Sequence, residues 1–394
     1  MKRLLKRLLI IVAVCLLPLP AVNAQNPPVE SQPPETQYLP AFDSQTRAAS
    51  FETQTDLAVT VITDQLSAPW GLVELSDGRL LVTQKQGDLV IVNLADGSVS
   101  DPIGGFEGVT SQGQGGLLDL ALAPDFDKSR LIYVTVSQVS AGGNLTAVGR
   151  GKLVADEQSI EEFEVIFQAS PAYEGNQHYG SRLVFDSLSN LFVTTGERSD
   201  PSMRDQAQSL DSYLGKVLYL TEEGTAVEGN ESPIYTVGHR NVQGLAIAPD
   251  TGEIWISEMG PRGGDELNLL IDGQNYGWPV VSYGIEYSGE PIKDGQSRHD
   301  GFTEPVYYWD PVIAPSGMAF YDSQIIEEWQ GNLFIGALKG KHIARLLIQN
   351  QQVVAEERLL LEEGERFRDV LIGSDGALYA ITDSGKLYQV KKKN

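Results

Sequence analysis

Six stretches of this 394-residue chain repeat one alternation of apolar and polar positions. They are WGLVELSDGRLLVTQ from Trp70, GGLLDLALAPDFDKSRLIYVTV from Gly115 and GSRLVFDSLSNLFVTTG from Gly180. QGLAIAPDTGEIWISE from Gln243, SGMAFYDSQIIEEWQGNLFIGAL from Ser316 and RDVLIGSDGALYAITD from Arg368 complete the set. In each, an apolar strand meets an Asp-Gly or longer connector, then a second strand rich in aromatic and β-branched residues, the signature of a hairpin. Several are followed by a third strand: GDLVIVNL from Gly87, HIARLLIQ from His342 and GKLYQVK from Gly385. Convincing amphipathic helices are scarce, which argues against an α/β fold. Hairpins with outer strands, spaced at about 45 to 80 residues, predict an all-β, six-bladed β-propeller. A β-sandwich is the competing architecture.

In a hairpin, the start of the first strand and the end of the second lie together. In a propeller the innermost strands line a channel, so these ends crowd one mouth. Residues ahead of the first strands include Gln114, His178, Arg240, Asn241, Pro315, Ser316, Arg366 and Arg368. Glu197, Arg198, the segment GPRGGDE (260–266) and Lys339 follow second strands. Polar side chains from most blades are thereby predicted to converge on one cavity.

Composition changes the picture at the N-terminus. A basic start, an apolar run from Leu8 to Leu17 and Val22-Asn23-Ala24 read as a secretory signal peptide over 1–24, too short for a membrane span. Residues 25–57, rich in Pro and Ser, read as a flexible leader, with the folded domain over 58–394. The sole cysteine, Cys15, falls inside the signal, so disulfides do not hold the domain. Losing Lys2, Arg3, Lys6 and Arg7 takes the net charge from -24 to -28. Such a surface repels phosphate backbones and excludes nucleic acid as a partner. The expected location is periplasmic or secreted, without stable membrane insertion once the signal is cleaved.

His178 either caps a strand or serves as a general base, for which neutral imidazole is suited near neutral pH. His239 is the weaker candidate because alternation points it away from Arg240; His299 and His342 read as structural. Arg240 and Asn241 either satisfy loop carbonyls or polarise a substrate oxygen. Lys339, Arg366 and Arg368 either form surface ion pairs or bind a ligand with several carboxylates or phosphates. The carbonyls and carboxylates of GPRGGDELNLLIDGQNYGW suit Ca²⁺. Four histidines and one cysteine make zinc a poor fit. GQGGLL and GALKGKH fail the nucleotide-binding motifs, and no GxSxG elbow is present.

At these residues the chain resembles the soluble quinoprotein glucose and aldose sugar dehydrogenases, through GQGGLLDLALAPDF, HYGSRLVFD, LGKVLYL, GHRNVQGLA, GPRGGDELNLL, NYGWPVVSYG, APSGMAFY, ALKG and RFRDV. The resemblance implies a six-bladed propeller using pyrroloquinoline quinone and Ca²⁺ to oxidise the anomeric carbon of aldoses, with electrons passed to an acceptor the sequence does not name. It makes His178 the base, and Arg240 and Asn241 the groups that hold and polarise the quinone oxygens. Gln114 would contact cofactor and substrate, and Tyr287 the cofactor. Lys339, Arg366 and Arg368 would pair with the cofactor's carboxylates. Carbonyls of Gly260 and Pro261 would ligate the cofactor's Ca²⁺; Glu266 and the carbonyl of Tyr276 would hold a second, structural ion. One departure stands out: where the glucose dehydrogenases carry an aspartate before the base, this chain has Gln177. The rivals are a Ca²⁺-dependent lactonase or hydrolase on the same architecture, and a propeller that binds carbohydrate without turnover.

Overall fold

A computed structural model describes residues 26–393; the signal peptide expected over 1–24 lies outside the described residues. Six sheets form, and each of the six predicted hairpins supplies the first two strands of one. The inner strands of blades 1 to 6 are Pro69–Glu74, Leu117–Leu122, Gly180–Phe185, Val242–Ile247, Pro315–Phe320 and Phe367–Ile372. Each packs on the next and the sixth on the first, so the ring closes as a six-bladed β-propeller. Leu81, Leu117, Leu120, Ile132 and Val134 fill the wedge between blades 1 and 2; Trp255, Met318, Leu333 and Ile335 fill that between blades 4 and 5. Both faces of the blades are therefore buried, and burial of this apolar surface is the main stabilising term. Among the described residues the only α-helix is Phe126–Ser129, and no helix is long and apolar enough to cross a membrane.

Each inner strand has a register shift against its neighbour within its first residues, between Gly180 and Leu183 in blade 3 and at the matching place in the other five. A bulge there re-aims the side chains at the rim. Just below, the third residue of each inner strand forms a layer across the axis: Gly71, Asp119, Arg182, Gly244, Gly317 and Asp369. Three charged side chains fill it and three glycines make room. A Cβ on Gly71 would stand 2.6 Å from Asp119 Oδ1, and one on Gly317 would collide with Asp369. Arg182 donates to Asp119 (2.9 Å), Asp369 (2.7 Å) and the carbonyls of Gln243 (2.7 Å) and Arg368 (3.2 Å), and its guanidinium lies 4.2 Å over the Trp70 ring. One side chain from blade 3 thus touches blades 1, 2, 4 and 6.

Closure comes from the far end of the chain. Leu57–Thr63 pairs antiparallel with Leu387–Lys392 as the outer strand of blade 6, Val59 opposite Val390. The preceding leader is a correction to the sequence expectation, for it is not a flexible tether. Ala49–Ser50 adds a parallel strand to the open edge of Gln352–Leu359 in blade 5. The Asp310 carboxylate accepts the amides of Glu35 and Thr36, buried Gln45 donates to the Pro305 carbonyl and Glu304, and the Trp329 indole donates to Thr53. Its Pro-rich composition lacks strand periodicity, but distant blades supply partners that local sequence does not reveal.

Candidate functional site

The bulged strand entries bring the candidate residues together at the mouth. His178 holds a left-handed φ of 48°, uncommon for a residue with a Cβ, and its side chain is buried. Its backbone N–H donates to Gln114 Oε1 at 2.9 Å. Its Nδ1 lies 2.7 Å from Glu197 Oε1, and the second Glu197 oxygen accepts the Ser199 amide at 2.8 Å. This bond fixes the Nδ1–H tautomer and leaves Nε2 with a free lone pair. Burial, and then the nearby Arg240 charge, push the imidazole down to about 4 against the opposing pull of Glu197. The ring is therefore neutral across the ordinary pH range and able to take a proton.

Glu197 was placed at the mouth from the sequence but given no role there. It was legible as a strand-end carboxylate at the mouth, but its pairing with His178 was not. Gln177 does not fill the aspartate's orienting place: it is exposed, and its carbonyl accepts a bond from Arg198. A carboxylate from the neighbouring strand does so instead.

Arg240 is fixed through its amide to Glu258 (2.7 Å), and its guanidinium donates to the carbonyls of Met259 (2.8 Å) and Gly260 (2.7 Å). Its buried Nε has no partner among the described residues. Asn241 Oδ1 accepts the Gly180 amide at 3.1 Å, tying blade 4 to blade 3 beside the histidine. His239 faces away, bonded to Thr236 and Glu258, as alternation predicted.

Two cavities meet at Met259. One, of ≈ 260 Å³, is lined by Trp70, Lys85, Gln114, Gln243, Arg366 and Arg368. Asp383 pairs with Arg366 (2.8 Å) and Arg368 (2.9 Å), and Gln243 steadies Arg368 from the other side at 3.0 Å. The other, of ≈ 10 Å³, is bounded by Arg240, Glu258, Gly260, Pro261, Glu266 and Tyr276, so the residues expected to hold two separate ions, Gly260 and Pro261 for one and Glu266 and Tyr276 for the other, border one small cavity. Such a volume is about that of one water-sized sphere. Burial, and then the charge of Glu258, raise the Glu266 carboxyl well above its ordinary value. Asn268 bridges the two carboxylates with 3.2 Å bonds and its buried Oδ1 is unpaired, while Glu258 is held further by His239 Nδ1 (2.9 Å) and the Arg240 amide (2.7 Å). Two crowded carboxylates among carbonyls form a hard-oxygen donor set of the kind Ca²⁺ prefers. The polyvalent cation cluster and the unpaired Arg240 Nε likewise fit a planar polycarboxylate quinone.

Two expected residues stand apart. The Tyr287 side chain is 73% exposed and borders neither cavity. Lys339 lines a different cavity, of ≈ 980 Å³, between the leader and blade 5.

A family profile described as Glucose / Sorbosone dehydrogenase matches residues 66–389. The chain is 41% identical over 349 residues to aldose sugar dehydrogenase YliI of Escherichia coli (strain K12), spanning 85% of this chain and 93% of that protein. It superposes on the crystal structure of the soluble aldose sugar dehydrogenase from Escherichia coli in the apo-form with a TM-score of 0.81, at 41% identity, over 86% of this chain and all (100%) of that one. The PQQ-bound form of aldose sugar dehydrogenase from Streptomyces coelicolor gives a TM-score of 0.71 at 29% identity, over 86% and 99% of the two chains. The chain belongs to the glucose / sorbosone dehydrogenase family.

Proposed function

We propose that this protein is an exported quinoprotein that oxidises the anomeric hydroxyl of aldose sugars to the lactone, with pyrroloquinoline quinone and Ca²⁺ as cofactors. The observation that carries this reading is the pairing of a buried, neutral His178, oriented by Glu197, with an adjoining cation-lined cavity. When bound, the quinone supplies a two-electron acceptor for the hydride of the anomeric carbon, and the electrons leave to an external acceptor. His178 Nε2 removes the proton of the anomeric hydroxyl, and Glu197 stabilises the imidazolium that results. Arg240 and Asn241 supply charged and neutral donors to developing oxygen charge. Arg366 and Arg368, with Gln114 and Gln243, would hold carboxylates and orient the cofactor; the carbonyls of Gly260 and Pro261 would ligate its Ca²⁺, and Glu266 with the Tyr276 carbonyl, beside Glu258, a second, structural ion.

A hydrolytic metal centre would want several side chains on one ion. Among the described residues no cluster of three or more His, Cys, Asp or Glu is poised for that. The basic, apolar N-terminus supports export to the periplasm or beyond. The test is dye reduction with a panel of aldoses after incubation with the quinone and Ca²⁺, beside controls lacking the quinone or containing a chelator. Turnover is expected only with both cofactors; sugar oxidation that ignores the quinone would overturn the proposal.

A further inference from the structure

Lys85 follows the second strand of blade 1, Leu80–Gln84, at the position where Asp383 follows Leu378–Thr382 in blade 6. Its backbone is held at both ends: its amide donates to the Ala68 carbonyl and its carbonyl accepts the Leu117 amide, each at 3.2 Å. The half-buried side chain enters the ≈ 260 Å³ cavity alongside Arg366 and Arg368.

The three cations differ in how they are paired. Asp383 lies within salt-bridge distance of both arginines. Lys85 has no carboxylate partner among the described residues; Nζ donates only to the Gly113 carbonyl, at 2.8 Å. An ammonium carries three donors, so two remain for a ligand. Lys85, Arg366 and Arg368 against one Asp383 leave the cavity with two positive charges to spare, in a chain whose net charge is -24. Such an excess in a confined, partly desolvated space calls for a polyanion. Burial, and then the Arg368 charge, push the Lys85 ammonium down, a shift that an added carboxylate would reverse.

We infer that Lys85 is a further binding cation of this cavity, pairing with a carboxylate of the quinone from the blade 1 side. This rests on the quinoprotein reading above. Lys85 supplies a cation to the clamp beside Arg366 and Arg368, from a blade for which the sequence reading named none. Its bond to Gly113 also steadies the adjacent Gln114, whose Oε1 receives the His178 amide, so the clamp and the base share one support.

The test titrates pyrroloquinoline quinone into Ca²⁺-loaded protein without sugar, following quenching of tryptophan fluorescence. Lys85→Met is expected to weaken quinone affinity about tenfold to a hundredfold, the range for a lost charge-assisted hydrogen bond. Lys85→Arg is expected to recover most of it, and the salt dependence of binding to flatten in Lys85→Met. A second measurement needs no variant: acetylation of Lys85 in the wild type, read by mass spectrometry, should be suppressed by bound quinone. Unchanged affinity in Lys85→Met, or equal acetylation with and without bound quinone, overturns the assignment of Lys85 alone. Failure of the wild type to bind quinone overturns the quinoprotein reading, and this assignment with it.

Discussion

Replacing Arg182 by methionine tests whether the charged layer under the mouth holds the ring together. The side chain is 4% exposed and the two aspartates it joins are each 8% exposed, so water does not compensate for its loss. Four side-chain hydrogen bonds disappear, and the Trp70 ring loses its cationic cover. Breaking a buried ion pair by removing one partner costs about 3–5 kcal/mol. With an unfolding entropy of roughly 2 cal/mol/K per residue, that corresponds to a midpoint lowered by roughly 4–7 °C. The pH dependence makes the test specific. Burial raises the Asp369 carboxyl to about 7, opposed by Arg182 and reinforced by Asp119, and it raises Asp119 too. Without Arg182 both rise further. A carboxyl whose folded pKa exceeds its unfolded one binds protons more readily when folded, so its stabilising contribution is present at low pH and is lost as pH climbs. The deficit of Arg182→Met should therefore be smaller near pH 5 than near pH 8, as read by denaturant unfolding. Adding Asp119→Asn and Asp369→Asn should restore more than half of it. A loss below about 1 kcal/mol at both pH values would refute the idea that this layer locks the blades.

The His178–Glu197 pair predicts that kcat/KM at saturating quinone holds down to about pH 5 and falls only near the base's value of about 4. Glu197→Gln should lower kcat roughly tenfold to a hundredfold by releasing the tautomer, with quinone affinity changed far less; an unaltered pH–rate profile and kcat would dismiss Glu197 as the orienting group. Lys216 is buried with its ammonium on the carbonyls of Gln206 (2.7 Å), Ala207 (3.0 Å) and Leu214 (2.7 Å). Lys216→Met should cost about 2–3 kcal/mol in denaturant unfolding by leaving those carbonyls unpaired, and a neutral result would mean that water replaces the lysine.

The hairpins were legible because period-2 alternation and Asp-Gly turns are local, and the ring followed from six repeats of one hairpin with an outer strand. What local pattern does not carry is partnership across the chain. The strand Leu57–Thr63 alternates like the others, yet its place on blade 6 depends on an edge more than 320 residues away. The leader folds against Asp310, Glu304 and Glu356, whose availability only the assembled blades reveal. The site divides in the same way. Gln114, His178, Arg240, Arg366 and Arg368 were found by asking what sits where strands begin and end, a rule that survives folding because hairpin geometry is local. Applied to blade 1 it would also have found Lys85. The exposure of Tyr287 and the place of Lys339 beside the leader were not legible in this way, because the direction of a loop or a strand-end side chain depends on tertiary packing.

The central layer shows how a signal can be plain in the sequence and still go unread. Asp119, Arg182 and Asp369 each interrupt an apolar inner strand at its third residue, while Gly71, Gly244 and Gly317 occupy that place in the other three. Taken singly, each charge looks like a polar flank, and each glycine like a weakness in a strand. Taken as one level of a closed ring, they are complementary: an arginine that needs two acceptors, two aspartates that supply them, and gaps that admit all three. Arg182 also donates to the carbonyl of Arg368 and underlies Trp70, so the layer that closes the ring is the floor of the cation-lined cavity. Fold and site are therefore coupled through a single guanidinium. A substitution there should loosen the cavity before it opens the blades, because polar and charged side chains line much of the cavity whereas apolar clusters fill the wedges between blades.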